Sequence, residues 1–245
     1  MQSKKKAGVA TKPPLVILGT AGSRSQAPYS DTDTEIWAVG TAAVYDDVKR
    51  VDRLFELHPR RYWSQQAVLD RMNDFDGPIV MQDHTDEIPR SEAYPYNEVR
   101  DMFYLKAMGE NLFVTNTITW MLLLALYEGY TNISLFGVHM SHDSEYSYQH
   151  ASCAWALGIM QGKALAGEPY TFYIAEESEV LKARYEYGFH EPTQWMNYID
   201  KRRRGLREGV KQAQSQITEI ERRKLRTEGA LQESEHLYNV AAGFR

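Results

Sequence analysis

Residues 134–150, SLFGVHMSHDSEYSYQH, pass from an apolar run into a segment carrying His139, His142, Asp143, Glu145 and His150 beside Tyr146 and Tyr148. An imidazole titrates near neutral pH, so His142 or His150 is suited to move a proton, with Asp143 as a carboxylate alternative. Tyr146 and Tyr148 stand two apart; in an extended segment their hydroxyls share a side and can grip a phosphate. A metal site would draw on His139, His142 and Asp143. A strand end followed by an irregular turn lacks the fixed i, i+4 geometry of a strong histidine pair, so no metal site is assigned. The plainer reading is a polar surface loop with tyrosines packed on a sheet edge.

Three other stretches carry chemistry. In LGTAGSRS, residues 18–25, Gly19, Thr20, Gly22 and Ser23 follow an apolar run. Backbone amides and hydroxyls in such a turn suit a phosphate or a nucleotide base. It is no Walker motif, since no Gly-Lys-Ser/Thr follows, and it lacks the third glycine of the dinucleotide fingerprint, so an ordinary strand-to-loop turn is the alternative. VTNTITWMLLLALYEGY, residues 114–130, places Thr115, Asn116 and Thr117 at the start of an apolar helix, where they serve as a cap or as an anion site. RLFELHPRRYW sets His58 at the end of a strand with Arg60 and Arg61 behind it, a substrate or phosphate contact. Cys153, the single cysteine, falls inside a predicted helix and reads as a core residue.

These groups need a scaffold, and hydrophobic patterning supplies one. LVILG (15–19) is a continuous apolar run ending in glycine, as in a strand buried on both faces of a parallel sheet. EIWAVG, RLFELH, GPIVMQD, a brief NLFVTN (111–116), NISLFGV and YTFYIA read as further strands. TAAVYDDVKRV reads as a short helix, as do YWSQQAVLDRMND, residues 117–128 and residues 151–163. Residues 85–97, with Pro89 and Pro95, read as loop. Alternation of strand and helix predicts an α/β fold: a Rossmann-like, doubly wound, mostly parallel sheet. Ligands of such sheets bind beyond the carboxyl ends of the strands, where Gly19, His58, Asn116 and the 139–150 loop would converge.

Residues 1–14 read as a flexible leader, 15–192 as the nucleotide-binding domain and 193–245 as a helical extension. In the extension Ile199, Leu206, Val210, Ala213, Ile217 and Ile220 follow the a/d spacing of a coiled coil, and Gly229 suggests a bend before a second short helix. The helix packs on its own domain or joins a homo-oligomer. Residues 1–192 hold 17 Lys+Arg against 26 Asp+Glu, and residues 193–245 hold 11 against 7. The acidic body argues against a broad nucleic-acid surface, while KRRRGLR (201–207) reads as a solvated basic face. The longest apolar run, WMLLLALY, is far short of the ~20 residues of a membrane span, so no membrane partner is expected and the location is cytoplasmic.

In chain order, GTAGS, IWAVG, FELH and TNTITWMLLLALYEGYTNISLFGVHM resemble the superfamily of bacterial sialyltransferases, motility accessory factor glycosyltransferases and archaeal hydroxymethylpterin pyrophosphokinases, over residues 15–175. IPRSEAYPYNEV, GVHMSHDSEYSYQHASCAWALGIMQGK and AEESEVLKARYEYGF are similar to hypothetical proteins of tailed phages and prophages, which would place the chain in a host cytoplasm. Gly19 and Ser23 match the nucleotide loop of the superfamily, Thr115, Asn116 and Thr117 a second nucleotide contact, and Gly137 with Val138 the end of a strand that the superfamily closes with Asp. His139 stands at that Asp, and Gly40 stands where Asn is usual. The resemblance implies a nucleotide-dependent transferase, most simply a sialyltransferase-like glycosyltransferase. Its donor would be a CMP- or UDP-linked nucleotide sugar, with Tyr146 and Tyr148 on the leaving phosphate, His150 as base, and modified DNA, a glycan or a small molecule as acceptor. Two alternatives stand beside it: a pyrophosphokinase-like enzyme with Mg2+ held by Asp143 and Glu145, and a non-catalytic nucleotide- or sugar-binding assembly protein.

Overall fold

The structure, a computed structural model, describes residues 12–103, 113–140, 145–182, 186, 188–189 and 193–243, without the side chains of 145–147 and 211. The leader up to residue 11, His142, Asp143 and the side chains of Glu145 and Tyr146 lie outside the described residues. Contacts divide the chain into two units, Met1–Lys182 and Ala183–Arg245.

The first unit is an α/β fold around one seven-stranded sheet. The strands are β1 (Leu15–Leu18), β2 (Glu35–Val39), β3 (Arg53–Glu56), β4 (Ile79–Met81), β5 (Ser91–Ala93), β6 (Asn132–Phe136) and β7 (Thr171–Ile174). Their order is β5-β4-β3-β2-β1-β6-β7 and every pairing is parallel. The LVIL run of β1 is buried along its whole length because both faces are covered. Leu15 and Ile17 join the cluster built on α3 (Thr117–Tyr127) and α4 (Ala151–Leu165). Val16 and Leu18 join the opposite cluster, with Ile36, Leu54, Ile79 and Met72 of α1 (Gln66–Asp74). Helix α3 is apolar on all sides and buried from Met121 to Leu126, as a helix inside a core must be. No helix among the described residues is long and apolar enough to cross a membrane.

Several expectations are corrected. The TAAVYDDVKRV segment forms only a 3-10 turn, Ala42–Val44. Its polar groups are spent on neighbours: Asp47 pairs with Arg24 at 2.8 Å and Arg50 donates to the Asp31 carbonyl at 3.0 Å. The supposed loop 85–97 contains edge strand β5, and Tyr96 opens α2 (Tyr96–Phe103). The two prolines flank β5 rather than interrupt it, and the Pro95 carbonyl accepts from the Val99 amide at 3.0 Å in the first turn of α2. Residues 113–116 of the supposed NLFVTN strand are not paired; Asn116 instead takes the extended conformation of a helix cap. Beyond the first unit, α5 (Gln194–Ala241) runs unbroken for 48 residues, so Gly229 makes no bend. A glycine in a solvated helix interior costs only about 1 kcal/mol relative to alanine, too little to break a helix of this length.

At the centre the chain runs outward from β1 through β5, then returns to the other side of β1 as β6. Gly19 and Gly137 end these two neighbouring strands back to back. The Gly19 amide donates to the Phe136 carbonyl at 2.8 Å and the Ala21 amide to the Gly137 carbonyl at 2.9 Å. A Cβ on Gly19 would lie 2.4 Å from the Gly137 oxygen, and one on Gly137 2.5 Å from the Gly19 oxygen. Gly137 also has a φ of +68°, in the left-handed region. Gly137→Ala is expected to lower stability by about 2 to 4 kcal/mol in chemical denaturation, since strain and overpacking add. Gly22→Ala, with nothing within 4 Å of the new Cβ, is expected to stay within about 0.5 kcal/mol.

Candidate functional site

A crevice of about 530 Å³ opens beyond the carboxyl ends of β1, β2, β3 and β6. Its size suits a nucleotide-sized ligand, and its place is the topological switch point of the sheet. One wall is Gly19, Thr20 and Ala21 with Gly137, Val138, His139 and Met140; the other is the segment Val114 to Ile118 with Trp120. Val39, Thr41, Leu57, His58 and Gln149 complete it. Among these described lining residues there is no Lys, Arg, Asp or Glu. The magnesium ligands expected at Asp143 and Glu145 lie outside the described residues.

The first wall is held from behind. The Ser23 hydroxyl is buried; it accepts from the Gly137 amide at 2.8 Å and lies 2.9 Å from His139 Nε2. While one lone pair accepts from the amide, the hydroxyl still has its proton to give to His139 Nε2. Arg24 donates to the Thr20 carbonyl at 2.7 Å, pairs with Asp47 and lies over the Tyr45 ring at 3.7 Å. Tyr29 donates to the Arg24 carbonyl at 2.8 Å. Burial, reinforced by Asp47 and opposed by Arg24, pushes the Tyr29 hydroxyl up to about 12, so it remains a donor at neutral pH. These bonds consume two of the amides of the first loop: those of Gly19 and Ala21 serve β6 and not a ligand.

The second wall begins at Asn116, whose side-chain oxygen accepts from the Thr119 amide at 2.8 Å and caps α3. The Asn116 side-chain amide donates to the Gln149 carbonyl at 3.2 Å, and the Thr115 hydroxyl donates to the Tyr148 carbonyl. Buried Ser152 of α4 accepts from the Thr115 amide at 3.2 Å and donates to the Thr119 hydroxyl at 3.0 Å. The start of α3 is thereby tied to the π-helical turn Glu145–His150 and to α4. The first-turn amides of Thr117 and Ile118 have no intrahelical partner, as at any helix start, and both residues line the crevice.

Strand β3 supplies a pair that the sequence reading did not join. His58 lines the crevice, with Nδ1 2.5 Å from Glu56 Oε1, which also accepts from the His58 amide at 3.0 Å. The Glu56 side chain is 10% exposed and that of His58 57%. A Cβ on Gly40 would stand 2.9 Å from Glu56 Oε2, so glycine there makes room for the carboxylate. Residues two apart at a strand end share a side, and that spacing, E-x-H, is the signal by which the pair could have been found.

Of the residues singled out from sequence, Gly19, Thr20, His58, Thr115, Asn116, Thr117 and Gly137 line the crevice, while Gly22 and Ser23 stand behind it. Arg60 turns away to Glu87 at 2.6 Å. Tyr148 is 72% exposed and does not line the crevice; its carbonyl is what ties to Thr115. His150 does not line it either, and its Nε2 donates to the Glu179 carbonyl at 3.2 Å. Cys153 lies in the core, where burial pushes its thiol up to about 12.

No family model matches the chain, and neither does any curated protein. Among solved structures, the fold is similar to the sialyltransferase CstII from Campylobacter jejuni in complex with cytidine-5'-monophosphate, at 12% identity, over 77% of this chain and 97% of that one, with a TM-score of 0.48. It is similar also to the alpha-2,3-sialyltransferase from Campylobacter jejuni in apo form, at 14% identity, over 73% of this chain and 81% of that one, with a TM-score of 0.49. At this identity each is a likeness of fold.

If Asn116 organises the second wall, Asn116→Ala should cost about 1 to 2 kcal/mol in denaturant titration. Asn116→Asp, which keeps the cap acceptor but loses the donor to Gln149, should recover about half of that or more.

Proposed function

We propose that the chain is a nucleotide-dependent transferase, a sialyltransferase-like glycosyltransferase that takes a nucleotide sugar as donor and an unidentified hydroxyl compound as acceptor. The observation that carries this reading is the shared crevice: the β1 loop, the first turn of α3 and His58 face one space at the switch point. The sequence resemblance falls on Gly19 and residues 115–117, which line that space, and on Ser23 behind the first wall.

The charge of the walls selects the donor. The phosphodiester of a CMP-sugar carries a single negative charge. A helix start presents about half a positive charge, and the hydroxyls of Thr20, Thr41 and Thr117 add donors, which together suit one phosphate. The more highly charged diphosphate of a UDP-sugar, or a triphosphate, calls for Lys, Arg or a metal ion, and the described walls hold no such side chain. Binding is therefore expected in the order CMP-sugar, UDP-sugar, ATP with Mg2+.

The exposed stripe of Leu206, Val210, Ile217 and Ile220 on α5 keeps coiled-coil spacing, and it supports pairing with a second copy along this helix. Light scattering is then expected to give twice the chain mass for the full protein and the single mass after truncation at residue 192. A monomeric full chain removes that part of the reading.

Thermal unfolding with each nucleotide tests the site. A CMP-sugar at a hundred times its Kd adds about 2.7 kcal/mol and raises the midpoint by several degrees. Thr117→Asp retains the helix, since a carboxylate at a helix start is favourable, but repels the phosphate and should abolish the shift. A shift with ATP and Mg2+ alone, or with none of the three, overturns the reading.

A further inference from the structure

We propose that Glu56 and His58 form a proton-accepting dyad on the crevice, with His58 Nε2 as the catalytic base and Glu56 as its positioning residue. The inference rests on the transferase reading and assigns it a base other than the histidine before α4.

Hydrogen-bond chemistry distinguishes His58 from His139 and His150. His150 Nε2 meets the Glu179 carbonyl, which can only accept, so that nitrogen carries its proton and has no lone pair to offer. His139 Nε2 is engaged by the Ser23 hydroxyl. His58 is oriented the other way round. Its Nδ1 faces a carboxylate at 2.5 Å, and a carboxylate likewise only accepts, so Nδ1 holds the proton and the neutral ring keeps the lone pair of Nε2. That Nε2 has no hydrogen-bond partner among the described residues, and His58 lines the crevice.

Glu56 suits the role through its burial. A nearly buried carboxylate is unfavourable unless it is hydrogen-bonded, and Oε1 takes both the amide and the ring N–H of His58. The charge thus sits beside a ring that becomes cationic once protonated, in a cleft between β2 and β3 that any side chain at position 40 would fill. In the step itself the acceptor hydroxyl gives its proton to Nε2 while an oxygen lone pair forms the bond to the anomeric carbon of the sugar. The bond from that carbon to the phosphate oxygen breaks, its electron pair stays with the phosphate, and the nucleoside monophosphate leaves. The imidazolium then returns its proton to solvent.

The test uses the full chain. Long-range nitrogen–proton correlation spectra of protein with labelled histidine should show His58 as the Nδ1–H tautomer when neutral, and Glu56→Gln should erode that preference. With CMP-N-acetylneuraminate as donor and water as acceptor, His58→Ala should slow release of CMP about 100-fold or more, within the range of general base catalysis, and leave the CMP Kd within about threefold. Added imidazole should restore part of the rate. His58→Gln, of similar size and unable to relay a proton, serves if the alanine variant fails to fold. Glu56→Gln should lower kcat by about tenfold with KM within about twofold, a split that loss of packing alone would not give. An Nε2–H tautomer in the unaltered protein, or His58→Gln cleaving donor at a rate within about threefold of it, overturns the dyad while leaving the transferase reading in place. Failure of the unaltered protein to bind or cleave any nucleotide sugar overturns both.

Discussion

The crevice exists because two strand ends touch through their backbones. Parallel strands carry their connections across the faces of the sheet, so at the point where the chain reverses direction the loops after β1 and β6 diverge and leave a gap. Here the gap has a floor, made where Gly19 and Gly137 approach within a distance that no side chain permits. The Gly19 and Ala21 amides, donating to the Phe136 and Gly137 carbonyls, then join the two loops into one wall. Ser23 locks the arrangement from beneath, bonding at once to the Gly137 amide and the His139 ring. A wider contact would part the two loops and with them the first wall.

The opposite wall is rigid for a different reason. Helix α3 has no polar face to turn to water, and each fully buried leucine contributes about 1.5 to 3 kcal/mol, so the helix is fixed in the core like a rod in a socket. Its first turn must therefore stay where the crevice needs it. Asn116, Thr115, Thr119 and Ser152 satisfy the polar groups exposed by so apolar a helix start, and they do so by reaching α4. One wall is positioned by glycine contacts and the other by hydrophobic burial, and both line the crevice.

What the sequence conveyed followed from how each element is buried. LVIL was legible as a strand because parallel strands covered on both faces need unbroken apolar runs, and NISLF through its buried Ile133, Leu135 and Phe136. The strand SEA was not, since its alternation is too short and too polar; β4 and the bonds of Ser91 to His84 and to the Thr85 amide hold it in place. Asn116 was legible as a cap, a local feature. The orientation of His150 was not, because it depends on a carbonyl 29 positions along the chain. Glu56 passed unnoticed for a related reason: a glutamate beside an apolar pair looks like the solvent face of a strand, and only the missing side chain of Gly40 on the neighbouring strand shows that it is enclosed.

Strand β3 carries a charge at each end, and the contrast between them bears on function. At its start Arg53 is already engaged: it pairs with Glu128 at 2.7 Å and Glu92 at 3.6 Å and lies over the Trp37 ring at 5.0 Å. Such a cluster satisfies itself and presents nothing to a ligand. At the other end Glu56 has one ionisable partner among the described residues, His58, and that residue lines the crevice. A buried charged group is weak support for stability, since well-packed apolar residues often do as well or better in its place. An aliphatic side chain in the space left by Gly40 would be the simpler core. A carboxylate there, bonded to an imidazole whose residue lines a ligand-sized space, is the arrangement that the proposed dyad requires.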